Sequence, residues 1–156
     1  MADDFRAEVT VFAQEYASLF SSPLCSSAEG VAGIAGQVGK RYVPGVTFFT
    51  NDKSQDEAAR LIEREMRKNI DSGVGTHLEL LAIEKIDIYS SSLALAWLQW
   101  AFHPKAGSKW AGRDWTFTNI YAYRTASAEV AAGWEFVVRD HEVNSMIAAT
   151  GMDFSK

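Results

Sequence analysis

Trp115-Thr116-Phe117-Thr118-Asn119-Ile120-Tyr121-Ala122-Tyr123-Arg124 sets Trp, Phe, Asn, Tyr and Tyr at alternate positions, with Thr, Thr, Ile, Ala and Arg between them. Successive side chains of a β-strand point to opposite faces, so this spacing predicts a strand with an aromatic row on one side. Extended runs also occur at Thr76 to Tyr89, Leu93 to His103 and Ala132 to His141. With Asp114 to Thr125 they predict a four-stranded antiparallel meander, because each run is bounded by turn residues.

Upstream of the meander the apolar spacing lengthens to three and four. Phe5, Val9, Phe12, Tyr16, Leu19 and Phe20 form one helical stripe behind Asp3 and Asp4. Ser26-Ser27-Ala28-Glu29 offers a capping box for a second helix through Val31, Ile34, Ala35 and Val38. Pro44-Gly45 breaks the chain before a short strand at Val46 to Thr50. Ser54-Gln55-Asp56-Glu57, another capping box, opens a third helix through Ala58, Leu61, Ile62, Met66 and Ile70, stopped by Ser72-Gly73. A last short helix over Val143, Met146 and Ile147 ends before Gly151. Helices followed by strands is the α+β order.

The 156 residues have the size of one domain, 1–156, and 47% hydrophobic with 22% charged residues is an ordinary globular balance. A net charge of −5, with Lys and Arg scattered, argues against a nucleic-acid partner. The apolar runs are too short to span a bilayer and the first residues do not resemble a signal peptide, so no membrane association and a cytoplasmic location are expected. Cys25 is the sole cysteine, no His, Cys, Asp and Glu set has metal-ligand spacing, and no Gly-rich loop opens a helix after a strand. Neither a metal nor another cofactor is expected.

Pairing about Ser90 to Ser92 is read as placing Leu78, Leu80, Ala82, Glu84, Ile86 and Ile88 on the face of Leu93, Leu95, Trp97, Gln99 and His103. To that face are added Trp115, Phe117, Asn119, Tyr121 and Tyr123, then Trp134, Phe136, Val138 and Asp140, with a bulge allowed at Gly133. An aromatic face interrupted by a few polar groups suits a pocket for a hydrophobic small molecule. The opposite face, with Ala94, Ala96, Leu98, Trp100, Phe102, Ile120 and Val137, is too apolar for water and predicts a back-to-back homodimer through the sheet. Arg139 and His141 read as surface residues, as do His77 and Glu79.

Three helices, a curved meander and the closing stretch Gly133-Trp134-Glu135-Phe136-Val137-Val138-Arg139-Asp140, running into Glu142 and Gly151, resemble the nuclear transport factor-like superfamily. The likeness is to its SnoaL-like polyketide cyclase and dehydratase or isomerase branch in particular. It implies a cone-shaped, barrel-like α+β fold of three N-terminal helices on a curved antiparallel sheet. It also implies cofactor-independent acid-base catalysis by an acidic residue at the end of the last strand. Asp140 matches by strand position, whereas Glu142 better matches the spacing to Gly151, and both stand as candidates. The His partner usual one strand earlier is replaced by Asn119 and Tyr121.

On this reading the chain is an isomerase, cyclase or dehydratase for a hydrophobic oxygenated metabolite, or alternatively a non-catalytic binding or scaffold protein. Asp140 would move the proton from a partly desolvated site, or else cap the last helix. Asn119 and Tyr121 would donate hydrogen bonds to a substrate oxygen. Trp97, Trp115, Phe117, Tyr123 and Phe136 would hold the carbon skeleton, with Gln99, His103, Tyr16 and Tyr42 also at the pocket wall.

Overall fold

The three-four spacing near the N-terminus produces helices where it predicts them. In the computed structural model, which describes residues 2–50, 53–54 and 58–153, helix α1 spans Ala2–Leu19 and buries Phe5, Val9, Ala13 and Tyr16. Helix α2 spans Val31–Gly39 and buries Val31, Ile34, Ala35 and Val38. Its approach is capped one residue later than Ser26: the Ser27 hydroxyl accepts from Gly30 N–H at 3.2 Å and donates to Glu29 at 3.0 Å. Ser26 is drawn away to the Thr76 hydroxyl. Helix α3 spans Ala58–Ser72, and Gly73 follows at φ 86°, the left-handed conformation that ends a helix at least cost with glycine. The capping box expected before α3 runs through 55–57, outside the described residues. Among the described residues, no helix is long and apolar enough to cross a membrane.

Among the described residues the sheet has six strands in the order β2-β1-β6-β5-β4-β3, with β1 Tyr42–Phe49, β2 Lys53–Ser54, β3 His77–Ile88, β4 Leu93–His103, β5 Trp115–Arg124 and β6 Gly133–Val138. The four-strand meander is antiparallel as expected, while β1 joins its far edge parallel to β6. Strand β1 begins at Tyr42, earlier than the Val46 expected, because the Pro44-Gly45 break is absorbed as an irregularity between Tyr42 and Thr47. Helix α4, Asp140–Thr150, ends at Gly151 in the left-handed conformation.

Cross-strand partners share a face, and the register corrects two of the expected faces. Ile88 pairs with Ala94, Trp100 with Phe117 and Phe102 with Trp115. The core row of β4 is therefore Ala94, Ala96, Leu98, Trp100 and Phe102, all buried, while Leu93, Leu95, Trp97, Gln99 and His103 lie on the outer face. Pairing about Ser90 to Ser92 was the right turn, but it sets Ile88 opposite Ala94 and not beside Leu93. On β3 two extra residues, Leu81 and Glu84, bulge out of the ladder, so Ile83 faces in and Ala82 and Glu84 face out. Glu84 then accepts the Thr118 hydroxyl on the outer side at 2.7 Å.

The second correction lies in β6. Trp134 pairs with Tyr123 but Phe136 with Ala122, which leaves Glu135 as an extra residue. The bulge flips the strand: Trp134, Val137 and Arg139 face the helices, and Phe136, Val138 and Asp140 do not. Backbone crowding accompanies it, because a Cβ on Gly133 would lie 2.8 Å from the Arg41 carbonyl oxygen. Inside the sheet's concave face, α1 lays Phe12 edge-on to Trp134 at 4.8 Å and Tyr16 against Tyr121 at 5.8 Å.

Candidate active site

A cavity of about 90 Å³ lies between α3 and the concave face of the sheet. Rings of Tyr16, Phe20, Tyr42, Phe48, Phe117 and Tyr121 wall it, and Glu65, Asn69, Asn119, Arg139 and Glu142 supply its charged and amide groups. Glu65 arrives on α3 within the spacing Ile62, Glu65, Met66, Asn69, a helical stripe all of which faces the cavity. Arg139 follows the last residue of β6, one alternation beyond Val137. Its N–H donates to the Phe49 carbonyl at 2.8 Å, and its carbonyl accepts from Val143 to start α4.

The turn into α4 decides which carboxylate enters the site. Helical residues advance by about 100° each, so residues two apart point roughly 160° from one another. Asp140 is exposed on the outer side of the first turn and Glu142 reaches the cavity. Asp140 makes no cap either: the residue at that position is Arg139, and no side chain there bonds the helix.

Glu142, Arg139 and Glu65 form a linked ion-pair cluster. Arg139 donates to both Glu65 oxygens at 2.8 and 2.9 Å, and its Nε to Glu142 Oε1 at 3.2 Å. Burial raises the Glu65 carboxyl pKa, with Arg139 opposing the shift. Burial lowers the affinity of the Arg139 guanidinium for its proton, yet Glu142 and Glu65 outweigh that and hold its pKa above the ordinary range.

Asn119, 2% exposed, links this cluster to a phenol. Its Nδ2 donates to Glu142 Oε1 at 2.7 Å and to the Tyr121 hydroxyl at 3.4 Å. A carboxylate only accepts, so the amide must present its NH2 there and its oxygen elsewhere. Among the described residues no group donates to that buried Asn119 Oδ1. The expectation that Asn119 donates to a substrate oxygen is thereby reversed, since the group it has left is an acceptor. Tyr121 oxygen also accepts from Trp100 Nε1 at 3.1 Å, which fills both lone pairs and leaves its proton to donate. The Tyr16 and Tyr42 hydroxyls form a short hydrogen bond to each other. One of those two protons is used within the pair, and the other remains. Burial raises all three phenol pKa values, and the charge of Glu142 raises them further, so they stay protonated donors.

The structure thus brings Tyr16, Tyr42, Phe117, Asn119 and Tyr121 to one cavity and leaves the other expected residues outside it. Trp115 is buried in a stack on Phe102 at 4.5 Å, and Tyr123 donates to Glu8 at 2.5 Å beneath α1. Trp97, Gln99 and Phe136 face outward. His103 is held outside the cavity between Asp114 at 2.6 Å and Glu79 at 2.9 Å, both of which raise its pKa. Among the described residues, no group of three or more His, Cys, Asp and Glu side chains is placed to hold a metal ion.

No family model matches the sequence, and no curated protein matches it. Solved structures do. An NTF-2-like protein of unknown function from Shewanella oneidensis superposes with TM-score 0.58 at 11% identity, over 88% of this chain and 98% of that one. The fold is that of the nuclear transport factor-like proteins. Within that fold, an NTF2-like protein from Novosphingobium aromaticivorans is 13% identical over 86% of this chain and 84% of its own, with TM-score 0.52. A protein of ketosteroid isomerase-like fold from Catenulispora acidiphila, solved in complex with trimethylamine, is 11% identical over 93% of this chain and 95% of its own, also with TM-score 0.52. The nuclear transport factor-like cone places Glu142, Asn119 and Tyr121 inside and Asp140 outside.

Proposed function

We propose that the chain is a cofactor-independent acid-base enzyme acting on a small oxygenated molecule inside the cone. The observation that carries this reading is the buried chain in which Asn119 ties Glu142 Oε1 to the Tyr121 hydroxyl on one cavity wall. Both of the Glu142 contacts fall on Oε1, which leaves Oε2 to take a proton from a carbon next to a carbonyl. The electron pair released moves onto the carbonyl oxygen, where Tyr121 and the spare Tyr16 or Tyr42 proton stabilise it. Glu142 then returns the proton to the far carbon of a conjugated double bond, or delivers it to a β-hydroxyl that leaves as water, giving isomerisation or dehydration.

Size bears on the substrate. A dry cavity of about 150 Å³ holds benzene, so about 90 Å³ corresponds to roughly four non-hydrogen atoms. A polyketide-sized skeleton needs several hundred Å³, and isomerisation or dehydration is favoured over cyclisation. The test is NMR of a small ketone such as hydroxyacetone in D2O. Enzyme-dependent exchange of its carbon-bound protons is expected, and Tyr121→Phe should slow that exchange roughly 100- to 1000-fold. Binding without exchange would favour the alternative, a non-catalytic binding protein.

The outer face of the sheet supports a homodimer, through Ile120 as expected and otherwise through residues other than those first expected. Leu95, Trp97, Ile120, Phe136 and Val138 share that face by register, with Phe49, 40% exposed, at its edge. Light scattering should report a dimer that Trp97→Glu converts to monomer. A monomeric wild-type protein would refute the assignment.

A further inference from the structure

The cavity's ionic residues do not balance. Arg139 supplies one positive charge, and Glu65 and Glu142 supply two negative ones. Arg64, the other guanidinium whose charge reaches Glu65, is exposed on α3 and does not line the cavity. Arg139 itself already faces two carboxylates through three hydrogen bonds, so an incoming anion would meet a guanidinium that is engaged and a surplus carboxylate. Asn119 adds a second, independent observation. Its 2% exposed side chain belongs to a residue of the cavity lining and carries a buried oxygen that no described group donates to, so the missing partner is a hydrogen-bond donor. The walls add a third, because the faces of Tyr and Phe rings attract a cation once water is removed.

Donor, positive charge and an aromatic enclosure specify an organic ammonium group. The phenol protons of Tyr121 and of the Tyr16–Tyr42 pair specify, a short distance away, an oxygen that accepts. We infer that the site takes a small amine, protonated at neutral pH and carrying one hydroxyl or carbonyl oxygen, whose ammonium N–H groups meet Asn119 Oδ1 and whose charge is balanced by the surplus carboxylate. This names the substrate class of the acid-base reading and rests on it for the role of the oxygen. The charge preference itself depends only on the binding groups.

The test compares compounds of nearly equal size and different charge: isopropanolamine as the cation, propylene glycol as the neutral analogue and glycolate as the anion. Titration followed by protein NMR at neutral pH is expected to show isopropanolamine binding about tenfold or more tighter than propylene glycol, as one charge-assisted hydrogen bond provides. Glycolate should not bind. Glu142→Gln removes the surplus charge while keeping an acceptor for Asn119, and it should erase the amine's advantage over the glycol. Equal or tighter binding of the glycol or glycolate overturns the inference, as does failure of the amine to bind wild-type protein. The wild-type series requires no variant to fold. Amine-selective binding with no exchange of carbon-bound protons would sink the acid-base reading and leave this one standing. Exchange of neutral ketones without amine selectivity would do the reverse.

Discussion

Replacing Glu142 with Gln is expected to lower proton-exchange activity roughly 100- to 10,000-fold, the range typical of a removed general base, while Asp140→Asn changes it little. Glu142 is the carboxylate inside the cavity, held on one oxygen by Asn119 at 2.7 Å and Arg139 at 3.2 Å. Gln keeps the shape and still offers Asn119 an oxygen, so the variant should fold and its KM for a neutral ketone should change far less than its kcat. Asp140 is exposed and caps nothing, so its amide variant serves as the matched control. Steady-state exchange kinetics of both variants check the assignment. A collapse in Asp140→Asn with Glu142→Gln active would return the role to the strand-end carboxylate.

The contrast between these two residues shows where the sequence was legible. Element types followed from apolar period alone: Phe5, Val9 and Tyr16 mark a helix, and the alternating aromatics of β5 mark a strand whose buried face is the one expected. Bulges were not legible, because an extra residue changes no composition and leaves each half of the strand in good alternation. Glu135 is such a residue, and beyond it every inward residue becomes outward, which exchanges Asp140 for Arg139. Gly133 was a correct hint of a bulge, but a hint of irregularity does not say how many residues follow with reversed parity. On β4 the difficulty was different. Leu93, Leu95 and Trp97 compete with Ala94, Leu98 and Trp100 for the core, and only cross-strand pairing to β5 separates two faces that are both apolar.

Glu65 was missed although a signal existed. Ile62, Glu65, Met66 and Asn69 keep helical spacing, so a carboxylate and an amide stand in a stripe that should otherwise be apolar. A polar residue on a buried stripe requires a partner, and the Arg139 that supplies it lies 74 residues further along. No local pattern connects them. Asn119 is the converse case: an amide in an aromatic row is costly unless its groups are partnered, and its unmet oxygen is where that cost resides.

Arg139→Met should destabilise the protein by about 3–5 kcal/mol near neutral pH, because it leaves Glu65 and Glu142 facing each other without their guanidinium. The loss should depend on pH in a definite sense. Burial already places the Glu65 pKa above the ordinary carboxylate range despite the opposing pull of Arg139, and removing Arg139 raises it further. A carboxyl with a raised folded pKa holds its proton more tightly folded than unfolded. Below the unfolded pKa, roughly 4.3, both states are protonated and no charge is stranded. As pH rises towards the folded value the unfolded chain releases its proton first, and stability falls by up to about 1.4 kcal/mol per pH unit for each such group. Urea unfolding should therefore show a small deficit near pH 4 that widens steadily to pH 7. A deficit equal at both pH values would mean that Arg139 contributes through packing over Phe48, 5.9 Å from its guanidinium carbon, and that the surplus negative charge carries no energetic weight in the cavity.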